Sequence, residues 1–194
     1  RLLRRFSGGD TQEILKLFRA LLILAAAYFV FEVCFAEFAG LFSTIDALKA
    51  GNTAFTADTV LPVSTDITGS KSLAFSYVVL ALRFAAEVLP TLLAAATAYF
   101  AIGLLDTMED GAFTQESAAY APKLAEWCVK VLKLSVLLAL AVNLLQAVCA
   151  PLILSTSISI RLPVLELCFV LAALLGARLI ASNVALAADN DLFI

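Results

Sequence analysis

Four apolar stretches, each long enough to cross a bilayer as a helix, constrain this chain more than any other feature. They run about Leu17–Leu41, Leu73–Leu105, Val131–Leu154 and Leu162–Ala181. A hydrocarbon core takes about 20 mostly apolar residues in a helix. Composition agrees, with 62% of residues hydrophobic and 15% charged, against about 45–50% and 25% in soluble domains. A soluble fold of 194 residues could not hide so much apolar surface, because its exterior must face water. The expected fold is therefore all-α, an integral membrane bundle of four transmembrane helices in a single membrane domain over 1–194. That length leaves no room for a separate soluble catalytic domain.

Basic residues near the span ends set the expected orientation. Arg1, Arg4, Arg5, Lys16 and Arg19 precede the first span, Lys123, Lys130 and Lys133 precede the third, and Arg178 closes the fourth. The other side has Lys49, Lys71 and Arg161, with Arg83 inside a span. Cytoplasmic flanks carry the excess of Lys and Arg, so both termini are expected in the cytoplasm. The longest connection is then an outside loop, about 42–72, rich in threonine; it suits an ordered cap or short strands as well as a flexible loop. The short outside connection around 155–161 makes the last two spans an antiparallel pair.

Helix-start signals precede two spans. Asp10 followed by Glu13 reads as a capping box. In the cytoplasmic connection, about 106–130, Thr114 is an N-cap for a helix opening at Gln115 and Glu116. Pro122 then interrupts that helix, or separates a short surface helix from the third span. Tyr120, Trp127 and the three lysines nearby suit a membrane-interface collar. The sequence opens at Arg1 without a methionine, which leaves room for residues upstream, and the stretch from Leu17 is too long for a signal-peptide core.

Several function classes fall away. The formal net charge of -3 argues against a nucleic-acid surface. Histidine is absent, which removes the commonest general base near neutral pH and the commonest metal ligand. Cys34, Cys128, Cys149 and Cys168 stand singly in or beside apolar stretches, without metal-ligand spacing. No Ser–Lys pair sits within a span. No catalytic residue, metal or cofactor is expected.

Polar residues inside the spans are what lipid cannot explain. Counted inward from the outer ends, Glu32 in the first span, Arg83 and Glu87 in the second, Asn143 and Gln146 in the third, and Glu166 in the fourth fall at similar depth, with Glu37 nearer the surface. A charge in a span costs about 2.5–3.5 kcal/mol on insertion scales, so such groups face the bundle and pair. Arg83 and Glu87 are four apart and share a helix face. Pro90 follows and cannot donate to the Ala86 carbonyl, which predicts a helix kink beside the pair. Two readings stay open: a solute, headgroup or ion site centred on Arg83, Glu87 and Glu32, or an internal network that fixes which helices pack together. Glu32, Glu87 and Glu166 outnumber Arg83, so at least one carboxylate must be protonated, hydrated or bound to a cation.

Small residues add a second signal. Ala25–Ala27, Ala94–Ala96 with Ala98, and Ala172–Ala173 with Gly176–Ala177 permit close helix approach, for ordinary packing or for a partner. Phe29, Phe31, Phe35 and Phe38 in the first span are expected to face lipid or packing neighbours.

Two short elements carry a resemblance. One is Gly111-Ala112-Phe113-Thr114, after an acidic turn; the other is the end of the chain, Asp189-Asn190-Asp191 followed by Leu192-Phe193-Ile194. Together with the span layout they resemble a bacterial family of small four-span membrane proteins, domain-of-unknown-function family 2975. The resemblance implies a bacterial inner membrane, a cytoplasmic element at Gly111, Phe113 and Thr114, and a role in sensing, immunity or regulation. It carries no catalytic residues. The function expected is that of a non-enzymatic membrane protein of binding, regulatory or immunity type, with membrane lipid and a protein partner or homo-oligomer as its company. The alternative is a small transporter or channel subunit that uses Arg83, Glu87 and Glu32.

Overall fold

In lipid every backbone N–H and C=O must find its partner inside the protein, and the chain meets this with helix. The computed structural model describes residues 8–49, 73–108, 114–149, 152 and 162–191. Helix α1 (Gly8–Phe31) passes through a π-helical turn (Glu32–Glu37) into α2 (Phe38–Lys49); α3 (Leu73–Asp106), α4 (Gln115–Cys149) and α5 (Val164–Asp191) follow. Among the described residues four segments are long and apolar enough to cross a membrane, at Gln12–Asp46, Ala74–Asp106, Glu116–Cys149 and Val164–Asn183. No strand occurs among the described residues. The chain is an all-α membrane protein of four such helical segments.

Helices outrun the apolar stretches at several ends. Lys49 closes α2, so the part of the outside loop expected from Phe42 is helical; residues 50–72 lie outside the described set, as does the connection at 153–161. Gly8 opens α1, which puts Asp10 inside the first turn instead of at its cap. The connection expected over 106–130 shrinks in the same way. Helix α4 starts at Gln115 and continues through Pro122 without a break. A proline ring in a helix interior crowds the carbonyl four residues back and removes one hydrogen bond. Pro122 is exposed, so the disturbance falls on an open face.

Thr114 caps α4 as its sequence position predicts. Its Oγ1 accepts from the Ser117 backbone N–H at 3.1 Å, and its own N–H donates to Ser117 Oγ at 3.0 Å. This is a reciprocal capping box with serine at the third helical position. The Thr114 hydroxyl also donates to the Thr107 carbonyl at 2.7 Å, tying the start of α4 to the end of α3. Thr114→Ala should therefore lower stability by about 1–2 kcal/mol, and Thr114→Ser by much less. Thermal unfolding in detergent, followed by helical circular dichroism, reads both.

The contacts divide the chain into two compact units, one of residues 1–29, 93–132 and 168–194, the other of 30–92 and 133–167. In the first, Phe29, Ala94, Leu104, Leu124, Cys128 and Val170 are among the core residues. Phe29 meets Phe169 edge to face at 5.2 Å, and Phe100 meets Trp127 at 5.1 Å. The Trp127 indole N–H donates to Thr97 Oγ1 at 3.1 Å, and the Thr97 hydroxyl to the Leu93 carbonyl. Trp127 is half-buried in this packing, whereas Lys123, Lys130 and Lys133 are exposed. In the second unit Phe38 meets Phe84 edge to face at 5.1 Å, and Val79 packs with Cys149, Phe75 and Leu145.

The phenylalanines of the first span divide as their positions require. Phe29 is core, while Phe31 and Phe35 are exposed and stack on each other at 4.5 Å. Large exposed side chains such as Leu17, Leu24, Leu137 and Leu179 run along the other helices too, a surface suited to lipid and not to water.

Glycine matters at one close approach. A Cβ at Gly103 would stand 2.8 Å from Tyr120 Oη and 3.3 Å from Cζ. Gly103→Ala gains about 1 kcal/mol of helix propensity but must push the tyrosine aside. We expect almost no net change in thermal stability for Gly103→Ala alone. In a Tyr120→Phe background, where the oxygen is gone, the same substitution should stabilise relative to Tyr120→Phe.

Candidate functional site

The intramembrane polar residues collect in one unit. Glu32, Glu37, Arg83, Glu87, Pro90, Asn143, Gln146 and Glu166 all fall within 30–92 and 133–167.

Its best-defined part lies along α3. Four residues on a helix make a little over one turn, so Arg83, Glu87 and Thr91 line one face. Arg83 Nε donates to Glu87 Oε1 at 2.9 Å, with the two side chains 14% and 16% exposed. Pro90 is fully buried, and α3 runs unbroken through it. The next residue, Thr91, is also fully buried; its hydroxyl donates to Glu166 Oε1 at 2.9 Å and lies 3.1 Å from the Glu87 carbonyl. One hydroxyl proton thus stands between two acceptors, and it links the α3 face to α5.

Glu166 is held where a carboxylate is least costly. It is buried in the first turn of α5, where the positive end of the helix dipole and unmade backbone N–H groups favour negative charge. Threonine 91 was not singled out in the sequence because a lone hydroxyl barely dents a hydropathy window. The signal available was its spacing, eight after Arg83 and four after Glu87.

The π-helical turn was not legible either. At 3.6 residues per turn, five residues put two side chains roughly 140° apart. Between Glu32 and Glu37 the chain instead takes π-helical geometry, with the Phe38 N–H bonding to the Val33 carbonyl five residues back. Glu37 is buried at 7% exposure and Glu32 half-buried, while Cys34, Phe35 and Ala36 between them are exposed. An i→i+5 turn thus turns two carboxylates five apart inward.

On α4, Gln146 is buried and Asn143 half-buried, three residues apart on one face. Among its described residues the unit therefore holds four inward carboxylates, Glu32, Glu37, Glu87 and Glu166, with one inward guanidinium, Arg83. Chemically it can hold helices by hydrogen bonding, carry a proton or attract a cation. Among the described residues no group of three or more His, Cys, Asp or Glu is placed to hold a metal ion.

The second candidate element is only partly in view. Thr114 is the α4 cap already described; Gly111 and Phe113 lie outside the described residues. The acidic Asp189-Asn190-Asp191 continues α5 as helix, and 192–194 lie outside the described residues. No family model, no curated protein and no solved structure matches this chain.

Proposed function

We propose that this chain is a non-enzymatic integral membrane protein of binding, regulatory or immunity type, seated in a bacterial inner membrane with both termini in the cytoplasm. One observation carries the reading. Arg83, Glu87, Thr91 and Glu166 are linked by hydrogen bonds, and a polar chain of this kind acts as glue between helices. The cytoplasmic placement of the termini rests on the excess of basic residues at the first, third and fourth spans. The regulatory role rests on the resemblance to domain-of-unknown-function family 2975. Its partner would be a protein or a second copy of the chain.

Purification from the native membrane in mild detergent tests this. A second protein held at fixed stoichiometry, and retained by Arg83→Met/Glu87→Leu, is the expected result. A pure protein that moves a solute across liposomes, and stops doing so on Glu87→Gln with its fold intact, would sink it. That second outcome belongs to a small transporter or channel subunit. The inward carboxylates Glu32, Glu37, Glu87 and Glu166, outnumbering Arg83, are the observation in its favour.

A further inference from the structure

Within the first unit, an apolar cleft of about 450 Å³ opens between α1, α3 and α5. Phe18 and Leu22 of α1, Leu105 of α3, and Ala173 and Gly176 of α5 are on its walls, and no ionisable side chain lines it. Beside it lies a recess of about 250 Å³ lined by Gln12, Lys16, Arg19 and Asp106. The two share Leu15, Leu105 and Met108, so they adjoin along those side chains and form a hollow with an apolar body beside a charged mouth. Arg19 bonds Asp106 at 3.1 Å, with both side chains about half exposed. Two cations and one carboxylate leave the mouth positive by one charge.

We propose that this hollow binds one anionic phospholipid, its acyl chain in the apolar cleft and its phosphate at Lys16 and Arg19. The cleft has the size of a small-ligand site. It falls within the range of about 300–1,000 Å³ that holds a small ligand, and an extended hydrocarbon chain is slim enough to follow it. Charge selects the headgroup, since a lysine or arginine at a membrane surface favours anionic lipid. Both residues sit at the start of the first span, where a long cationic side chain reaches the interface while its stem stays apolar.

The cleft also supplies its own blocking variant. A Cβ at Gly176 would meet nothing within 4 Å, and Gly176 lines the cleft, so Gly176→Leu starts its side chain in open space at the cleft wall.

The test uses the full chain in nanodiscs with photoreactive phosphatidylglycerol, its diazirine on the acyl chain, and the same probe built on phosphatidylcholine. Peptide mapping should place labels on α1, α3 and α5 around the cleft, with the anionic probe favoured about fivefold for each effective cation. Gly176→Leu should abolish that labelling without lowering the thermal unfolding midpoint, since leaving glycine inside a helix adds helix propensity. Lys16→Ala, at an exposed position, should leave labelling of the cleft in place but remove the headgroup preference. Equal labelling by the two probes in the wild type would overturn the proposal, and so would labels spread over all lipid-facing helices. If Gly176→Leu does not fold, the wild-type map and Lys16→Ala still decide it.

Discussion

Arg83→Met should destabilise the protein by about 3 kcal/mol, and Arg83→Met/Glu87→Leu should restore most of that loss. Breaking a buried ion pair from one side costs about 3–5 kcal/mol, because the remaining charge keeps its desolvation penalty without its partner. The lower end applies here, since 14% and 16% of the two side chains stay exposed. Removing both charges takes away penalty and attraction together, and apolar replacements of similar volume then range from neutral to stabilising. Unfolding by sodium dodecyl sulfate, read by the fluorescence of the sole tryptophan and by helical circular dichroism, measures all three variants. If Arg83→Met is silent, the guanidinium is not held inside the unit, and the polar chain through Thr91 to Glu166 loses its first link. If the double variant is as damaged as the single, something besides Glu87 depends on Arg83. The same variants separate the two functional readings. A double variant that folds and keeps its partner leaves the pair as glue, whereas one that folds and loses a measured flux makes it a site.

That pair could be read from the sequence because helical spacing and the cost of charge in lipid act on single residues. Arg83 and Glu87, four apart in an apolar stretch, must meet on one face. The four membrane helices were legible for an equally local reason, since lipid leaves an apolar stretch of this length almost no alternative to helix. Where helices stop was harder to see. Once α4 leaves the apolar stretch nothing in hydropathy marks its end, and its true start depends on the reciprocal bonds of Thr114 and Ser117. Thr114 showed the cap, but Pro122 argued for a break that an exposed position makes unnecessary.

What stayed hidden depends on residues far apart in sequence or on a small change of helical pitch. Thr91 gains its meaning only when Glu166, 75 residues away, arrives beside it. Glu37 turns inward only because the turn from Glu32 is π-helical. The cleft near Lys16 likewise needs α1, α3 and α5 to be assembled. Periodicity on one helix reports none of these.

The largest steric effect should come from Ala94→Leu/Ala98→Leu. Both alanines are completely buried, and they stand four apart on one face of α3, in the stretch that belongs to the first unit. In water an added leucine side chain would bring hydrophobic gain along with its steric cost. In a bilayer the lipid is as apolar as leucine, so the gain vanishes and only the packing term remains. Overpacking a filled interior costs about 1–3 kcal/mol for each residue. The two positions are adjacent on one helix face, so their effects need not be additive. Each single variant should show a lowered unfolding midpoint, and the double variant should lose the cooperative transition. Leu24→Ala, at a side chain 67% exposed, should change almost nothing, because lipid fills the space it leaves. Gly176→Leu should not lower the midpoint in the same assay, although it adds as much bulk to another small-residue stretch. If Ala94→Leu and Ala98→Leu proved as harmless as Gly176→Leu, α3 would not be in close contact there. The small residues would then have to be explained by a partner and not by packing within the chain.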